Sequence, residues 1–230
     1  MRVLKVIAEG SVTSFRYPHF VQGVHPTFEM PPPATIYGHV CSAVGDWIPP
    51  DSTRFAYYFA FESKFFDYEH LHFFGKEPKM NPFKRELLYN PRLSLYLDNI
   101  ELEPYFRSPR YPVALGRAQD LMVYTSVELI MLEQAERRFY SGTLLTLQQA
   151  ALIGGPTFAV TMPRFLDEAR HPTWAQYAVL PASAKPRIYP DTDSLTFEDA
   201  ALESWIDPQA DAAHPYERGL QRAVVWHTWS

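Results

Sequence analysis

The chain has 230 residues, of which 47% are hydrophobic and 15% aromatic, so a packed core is expected and global disorder is excluded. No apolar run approaches the roughly 20 residues that a membrane-spanning helix needs, and the charged N-terminal residues are more typical of a first strand than of a signal peptide. With one cysteine, Cys41, the sequence allows no internal disulfide and no cysteine-based zinc site. These features predict a soluble, cytoplasmic protein with no membrane contact.

The net charge of −5 argues against a simple basic nucleic-acid binder, but the charges are unevenly distributed. Residues 76–117 contain eight Lys/Arg and five Asp/Glu, a net charge of +3, whereas residues 190–217 contain eight Asp/Glu and no Lys/Arg, a net charge of −8. Arginine outnumbers lysine by 15 to 6, and arginine suits bidentate contacts with phosphate and stacking on bases. Two interpretations stay open: a mixed, solvated surface, or a basic segment that contacts nucleic acid.

The 21 prolines divide the chain into short elements. A strand is predicted over residues 2–9, followed by an irregular connection over residues 10–33. A helix is expected over residues 35–47, where apolar residues recur at spacings of three and four. These residues are Ile36, Val40, Ala43, Val44 and Trp47. Pro49 and Pro50 end this helix.

Further strands are predicted downstream from two-residue alternation. Aromatic residues occupy every second position of residues 54–62, residues 68–74 are expected to continue the same sheet, and residues 93–97 and 122–132 alternate in the same way. In the last of these strands, one side is expected to hold Val123, Thr125, Val127, Leu129 and Met131.

Two elements are predicted near the C-terminus. Thr196 and Asp199 form a capping-box pattern for a short helix that would run through Trp205. Residues 222–229 are predicted to form a last strand.

The order strand, helix, strand, strand, connection, strand predicts an α+β fold, a ferredoxin-like or RRM-like domain with an inserted hairpin. This domain is expected to span residues 1–132, with residues 133–230 as an irregular, β-rich C-terminal extension packed on it. The second helix of the motif falls on residues 98–115, a short stretch that prolines interrupt. Fold class alone does not assign a function.

A first group of residues with chemical content follows the first strand. Arg16 comes after the strand, and Thr35 and Gly38 lie at the start of the predicted helix, behind three consecutive prolines. A helix N-terminus offers unpaired backbone N–H groups that suit a phosphate, and Arg16 would add a charge-assisted contact. The alternative is an ordinary strand–loop–helix connection that prolines stiffen.

A second group lies in residues 107–117. Arg107, Arg110 and Arg117 interleave there with Tyr111, and Gly116 precedes the last arginine. Arginine pairs with phosphates and tyrosine stacks on bases. The alternative is a solvated loop with a turn at the glycine.

Together these groups resemble one family. The motifs that carry the resemblance are Ser14-Phe15-Arg16, the loop Gly23-Val24-His25-Pro26-Thr27, the helix start Pro32-Pro33-Ala34-Thr35-Ile36-Tyr37-Gly38, and Leu115-Gly116-Arg117. They are similar to the Cas-five family of the repeat-associated (RAMP) superfamily, found in type I CRISPR effector complexes. The resemblance covers roughly residues 1–132. The short stretch before Leu115 departs from the family, and only Gly154-Gly155-Pro156 resembles its glycine-rich C-terminal loop.

The resemblance implies a non-catalytic subunit of a Cascade surveillance complex in antiviral defence. Such a subunit binds the 5′ handle of the guide RNA (crRNA), contacts the backbone subunits and the large subunit, and lies near the PAM of the target DNA. No metal and no other cofactor is implied. The family often carries a projecting hairpin, or thumb, for which residues 76–92 are the candidate. The RNA-binding residues that the motif match implies are Arg16, Thr35, Gly38, Gly116 and Arg117. The expected set also includes the basic residues Lys84 and Arg85 of the thumb candidate and Arg107 and Arg110 of the second group.

We expect Arg16 and Arg117 to lie on one RNA-facing side, with Arg107 and Arg110 extending the patch. The alternative is that one of these arginines is an internal strut that pairs with an acidic side chain.

Two other classes of function stay open. One branch of the family cleaves precursor crRNA without metal, which makes His25 and His39 candidate general bases. His70 and His72 could form a metal pair on one strand face, but no third ligand is evident and a plain strand is preferred. A protein–protein adaptor with little RNA contact is a further alternative.

Overall fold

The computed structural model describes residues 1–20, 23–74, 79–155, 158–189, 202–210 and 219–230. Within these ranges the protein is a mixed α/β structure with many strands and few helices. The strands are β1 (Arg2–Gly10), β2 (Val12–Thr13), β3 (Val24–His25), β4 (Phe55–Ala60), β5 (Ser63–Phe73), β6 (Lys79–Tyr89), β7 (Arg92–Leu97), β8 (Met122–Met131), β9 (Glu133–Gln134), β10 (Arg138–Tyr140), β11 (Thr143–Thr146), β12 (Phe158–Leu166), β13 (Pro172–Leu180), β14 (Arg187–Tyr189) and β15 (Trp205–Ile206). The helices are α1 (Pro33–Val44), a 3₁₀ turn (Ile100–Leu102), α2 (Glu103–Arg107) and α3 (Leu147–Ile153). No helix in these ranges is both long enough and apolar enough to cross a membrane.

Four strands form the main sheet, which is antiparallel and has the order β4-β7-β1-β8. The predicted strands at 2–9, 54–62, 93–97 and 122–132 are therefore confirmed, with ends that differ by one or two residues. In chain order α1 lies between β1 and β4, and the 3₁₀ turn with α2 lies between β7 and β8. The proline-broken stretch thus holds a helical segment of only eight residues.

One face of the main sheet packs against α1 and forms the largest hydrophobic core. The aromatic residues Phe55, Tyr57 and Phe59 are buried on this face, as their spacing predicts. A residue from the far end of the chain completes the core. The indole of Trp229 stacks on Phe55 at 4.4 Å between ring centroids and donates a hydrogen bond to the Pro33 carbonyl at 2.9 Å. The C-terminal residues therefore share the core of the N-terminal sheet.

The opposite face of the main sheet is covered as well. Val224 and Trp226 pack there against Val3, Ala56, Tyr96 and Ile130. The buried ammonium of Lys5 pairs with Asp207 at 2.6 Å, and the Tyr96 hydroxyl donates to the same carboxylate at 2.9 Å. Residues 202–210 and 219–230 are thus fixed to the sheet by both apolar packing and a buried ion pair.

A long hairpin of β5 and β6 belongs to a second sheet. β6 pairs antiparallel with β5 and β2, and parallel with β3. Two expectations change here. Residues 68–74 do not continue the main sheet, because their backbone pairs with β6. The thumb candidate at 76–92 covers only the second strand of the hairpin, whose first strand begins at Ser63.

The first helix also has different ends from those predicted. It begins at Pro33, because a proline at the first helical position has the right φ and loses no hydrogen bond. It ends at Val44, because Gly45 adopts a left-handed conformation (φ +88°) and its N–H donates a hydrogen bond to the Cys41 carbonyl at 2.7 Å. Trp47 lies beyond the helix and is 47% exposed.

The alternation predicted for residues 122–132 is interrupted. The register between β1 and β8 shifts at Thr125, where β8 contains one extra residue, a β-bulge. Val127 and Leu129 pack against the core, while Val123 and Met131 are exposed. The five residues therefore do not share one environment.

The C-terminal part contains a three-stranded antiparallel sheet of order β11-β13-β12 and the pairs β10–β14 and β9–β15. The proposed capping residues Thr196 and Asp199 lie outside the described residues, and Trp205 begins β15 instead of ending a helix. Residues 222–229 form no regular strand, which corrects another prediction. They cross the molecule and bridge singly to Phe139, Ile206 and Phe55.

One buried histidine makes folding stability depend on pH. His227 is enclosed by aromatic rings, and this burial lowers its pKa from 6.5 to about 4, against a smaller opposing effect of a hydrogen bond with Leu144. An unfolded histidine titrates near pH 6.5, so the stability is fully present above that pH and is lost as the pH falls toward 4. The loss of stability should reach about 2 to 3 kcal/mol.

We expect the melting temperature of His227→Gln to fall less between about pH 7.5 and about pH 5 than that of the wild type, because the variant lacks this titrating group. Burial also lowers the pKa of His39, but both proteins retain that histidine, so its contribution to the fall is the same in each. Equal falls in both proteins would therefore contradict the role of His227.

Candidate nucleic-acid interface

The loop that contains Gly116 and Arg117 is tied to the N-terminal strand by one buried carboxylate. Asp120 accepts hydrogen bonds from the backbone N–H of Ser14 (3.1 Å) and of Arg117 (3.0 Å), and from the Arg117 guanidinium (2.7 Å). Gly116 has φ +97°, and a Cβ there would lie 2.6 Å from the Thr13 hydroxyl. The glycine is therefore required by the backbone and by this close approach.

A second carboxylate connects this loop to the hairpin. Glu69 on β5 pairs with Arg85 on β6 at 2.7 Å and with the Arg117 guanidinium on its other oxygen. We call Arg85, Glu69, Arg117 and Asp120 the ion-pair network; its two positive and two negative charges balance. The structure thus brings Arg85 and Arg117 together, but it directs both guanidinium groups at carboxylates. For Arg117, these contacts match the alternative stated above, an internal strut that pairs with acidic side chains.

Arg16 lies close to this network along the chain, two residues after Ser14. It is exposed and faces Thr27 in an isolated antiparallel bridge. Within the described residues no carboxylate forms an ion pair with it. Arg16 is therefore presented to solvent, in contrast to Arg117.

The start of α1 does not offer its backbone to solvent. Pro31, Pro32 and Pro33 are buried, and the Tyr57 hydroxyl donates to the Pro31 carbonyl at 2.6 Å. The N–H groups of Thr35 and of the next residue both donate to the Pro32 carbonyl. The phosphate site expected at this helix N-terminus is therefore not supported, because the first residues are buried, Pro33 has no N–H, and the two N–H groups named above are already bonded.

Gly38 lies on the exposed side of α1. A Cβ added there would meet nothing within 4 Å in the part of the chain that the structure describes. No internal contact thus requires a glycine, although glycine weakens a helix interior. An exposed glycine leaves room for another molecule to approach the helix backbone closely.

Arg107 and Arg110 lie near the other end of α1. Arg107 is exposed and pairs with Glu103 at 2.7 Å within α2. Arg110 is exposed, and its aliphatic stem covers Gly45, where a Cβ would lie 2.4 Å from the Arg110 Cγ. Neither arginine bonds to the ion-pair network in the described ranges, so the structure does not join them to Arg117.

One face of the hairpin carries a row of exposed rings that sequence analysis treated as plain strand. Alternate residues of β5, continued by one residue beyond it, place these side chains on the same face, and we call them the hairpin stripe. The stripe consists of Phe66, Tyr68, His70, His72 and Phe74. The exposed fractions of Phe66, Tyr68 and Phe74 are 55%, 61% and 93%. Lys84 lies directly opposite Tyr68 in the hairpin, with its ammonium 5.5 Å from the ring centroid. Exposed rings beside a cation can stack on unpaired bases with little sequence preference.

The histidines considered as general bases are enclosed. His25 is 3% exposed and lies 4.3 Å from the Phe83 ring. His39 is buried between the Ala114 carbonyl (2.9 Å) and the Tyr124 hydroxyl (3.0 Å), and burial lowers its pKa. Both imidazoles are therefore shielded from solvent in this arrangement. The rings of His70 and His72 are exposed and 6.4 Å apart, and the described ranges hold no group of three metal-ligating side chains.

The two motif glycines should respond oppositely to substitution. We expect Gly38→Ala to stabilise the isolated protein by about 0.5 to 1 kcal/mol, because alanine favours the helix and meets no neighbour. We expect Gly116→Ala to destabilise it by about 1 to 3 kcal/mol or more, because φ is positive and the added Cβ would clash with Thr13. Thermal melting of both variants checks this, and a shift of the same sign in both would contradict the assigned roles.

The two motif arginines should differ in the same experiment. We expect Arg117→Gln to lower the free energy of unfolding by about 1 to 3 kcal/mol, because buried Asp120 and half-buried Glu69 lose donors. Arg16→Gln should leave stability within about 0.5 kcal/mol of the wild type, because the side chain is exposed. Urea unfolding of both variants measures the difference. An unchanged stability of Arg117→Gln would show that the ion-pair network is not a strut.

Comparison with known proteins gives structural likeness only. No protein-family model matches the chain, and no curated protein matches it in sequence. A solved chain of a CRISPR RNA-guided surveillance complex is similar with a TM-score of 0.49 and 12% identity, over 81% of this chain and 88% of that one. A CRISPR protein from Archaeoglobus fulgidus is similar with a TM-score of 0.44 and 12% identity, over 82% and 91%. A Cas protein is similar with a TM-score of 0.32 and 15% identity, over 52% and 58%. Likeness at this level carries no argument about function.

Proposed function

We propose that the chain is a cytoplasmic, non-catalytic RNA-binding subunit of a type I CRISPR surveillance complex (Cascade) in antiviral defence. It would bind the 5′ handle of the crRNA and contact the backbone subunits and the large subunit. The observation that carries RNA binding is the hairpin stripe, a row of exposed rings with Lys84 on the same face. Placement in this complex, beside the PAM of the target DNA, rests on the sequence motifs.

The covered main sheet supports a hairpin-based site. Its order β4-β7-β1-β8, with helices after the first and third of its strands, is the order of a ferredoxin-like βαββαβ domain, and we infer that fold. RRM domains of this kind stack bases on the open face of the sheet. Here that face lies beneath residues 202–210 and 219–230, with Asp207 bonded to Lys5. RNA would therefore have to use the surface outside the sheet, where the hairpin stripe and Arg16 lie.

The charges favour weak binding by the chain alone. Arg16, Lys84, Arg107 and Arg110 are exposed cations, but Arg107 is paired and the net charge of the chain is −5. Stable binding of the handle should therefore need the backbone subunits, which hold the rest of the strand and supply avidity. This division of the binding energy suits a subunit that caps one end of a filament.

A metal-independent endoribonuclease is the second candidate, and one observation favours it. Tyr68, His70 and Lys84 lie on the same exposed hairpin face, and such groups can move protons and stabilise charge on a phosphate. Incubation of repeat RNA with the protein in the presence of a chelator separates the two functions. Intact RNA is expected for the binding subunit, whereas a specific cut that His70→Ala abolishes would establish the nuclease.

Binding should depend on the hairpin stripe. We expect Tyr68→Ala to weaken binding of a labelled single-stranded RNA at low salt by about 1 to 3 kcal/mol, the usual value of one stacked base. Lys84→Gln should reduce the salt dependence of binding by about one unit of slope, because one phosphate contact is lost. Fluorescence anisotropy measures both effects, and melting temperatures should stay unchanged because the side chains are exposed.

Tyr105→Ala is the matched control for the loss of an exposed tyrosine. Tyr105 is 45% exposed on α2, away from the hairpin stripe. Equal RNA affinity of Tyr68→Ala, Tyr105→Ala and the wild type would refute an RNA-binding role for the stripe.

A further inference from the structure

A cavity of about 670 Å³ lies between the N-terminal loop, the base of the hairpin and the strands β12 and β13, and its lining residues Lys64 and Glu86 are next to the Phe66 end of the hairpin stripe. Its interior is apolar and includes the buried side chains of Phe28, Met162 and Leu180. The Tyr17 ring lines it beside Phe28, at 3.7 Å between ring centroids. At its edge the side chain of Phe158 is 86% exposed, so a large apolar ring faces solvent there in the described part of the chain. The cavity therefore has apolar walls that suit an aromatic ring, and no described residue occupies it.

The polar groups around this cavity are unevenly placed. On the side formed by the N-terminal loop and the hairpin, Lys64 lies 2.9 Å from Glu29 and 3.6 Å from Glu86, so its charge is already engaged. On the C-terminal side the cavity is lined by Lys185 and Arg187. The five ionised groups sum to +1, and the C-terminal side is the positive one. An anionic group bound there would be favoured.

The arginine on that side is held by the glycine-rich stretch that the sequence singled out. The Arg187 guanidinium donates to the carbonyls of Gly154 at 2.6 Å and Gly155 at 3.3 Å. Both glycines have positive φ, and a Cβ on Gly155 would lie 3.3 Å from the guanidinium carbon. These two neutral carbonyl oxygens fix the direction of the guanidinium. The glycines thus position a cation at the cavity edge.

We propose that this cavity binds one nucleotide of a single-stranded RNA, with the base between the Tyr17 side and Phe158 and the phosphate at Lys185 and Arg187. The inference rests on the proposed function and assigns to it a second site, next to the Phe66 end of the hairpin stripe. The volume falls within the range of about 300 to 1,000 Å³ that small-molecule sites occupy. A nucleotide combines a flat ring with an adjacent anion, which matches apolar walls beside two cations. Single-stranded RNA is commonly read by inserting a splayed base in this way.

The experiment is a titration of the isolated chain with nucleoside monophosphates, followed by the NMR signals of the methyl groups that line the cavity. AMP and CMP should shift the signals of Val160, Met162, Val179 and Leu180 in a saturable manner. Ribose 5-phosphate, which lacks the base, should bind at least about tenfold more weakly, because a stacked ring is lost. Equal binding of ribose 5-phosphate, or no saturable shift with either nucleotide, overturns the proposal.

Three variants at exposed positions test the geometry without disturbing the core. Ala184→Trp should abolish nucleotide binding, because Ala184 lines the cavity from an exposed turn and the indole would fill it. Phe158→Ala should weaken binding about tenfold and Lys185→Gln about threefold. Arg2→Gln, at an exposed arginine outside the cavity, should change nothing. Unaltered binding by Ala184→Trp overturns the assignment.

Two further comparisons identify the source of a negative result. N-acetyl-tyrosinamide probes the cavity as a pocket for an aromatic side chain of a partner protein, and its saturable binding with no binding of AMP would replace the nucleotide by a protein anchor. If Tyr68→Ala weakens RNA binding and Ala184→Trp leaves it unchanged, the cavity is not an RNA site, whereas the hairpin stripe still is. If nucleotides bind in the cavity and Tyr68→Ala leaves the RNA affinity unchanged, the hairpin stripe is not an RNA site, whereas the cavity still is.

Discussion

The buried carboxylate of Asp120 is the contact on which the arrangement of the candidate interface depends. An ionised group at this depth is tolerated only when donors surround it, and Asp120 receives two backbone N–H groups and a guanidinium. Through Ser14 it holds the end of the N-terminal strand, and through Arg117 it reaches Glu69 and hence the hairpin. Three segments that are distant in sequence therefore take their relative positions from one side chain. Exposed groups such as Arg16 and Lys84 are displayed on the frame that this contact fixes.

Much of the main sheet could be predicted because its signals are local. The alternation at Phe55, Tyr57 and Phe59 marks a half-buried strand wherever its partners come from. The first strand of the hairpin was harder to interpret, because exposed and buried aromatic strands look alike in sequence and only the pairing with β6 distinguishes them. Residues 222–229 have the composition of a strand, yet they bridge singly to three different partners. Such a path depends on tertiary packing that no short window of sequence contains.

The sequence pointed to Arg16 and Arg117 but could not show how either side chain is used. Arg16 and Arg117 are the same residue type in neighbouring motifs, yet one is exposed and the other is held by two carboxylates. Asp120 is visible three positions from Arg117, but Glu69 is 48 positions away and comes into reach only through the hairpin. Likewise, positive φ explains Gly116, while no contact in the described part of the chain explains Gly38. Motif residues thus divide into those with internal contacts and those exposed to solvent.

The indole of Trp229 has a consequence for the order in which the protein can fold. Its hydrogen bond to Pro33 spans 196 positions, and the buried pair of Lys5 with Asp207 spans 202. On a ribosome, the strands of the main sheet are synthesised long before the residues that cover both of its faces. Contacts at such separation slow folding and leave apolar surface open in the meantime. The nascent chain should therefore depend on chaperones until Asp207 and Trp229 have emerged from the ribosome, and it should reach its native state only after that point.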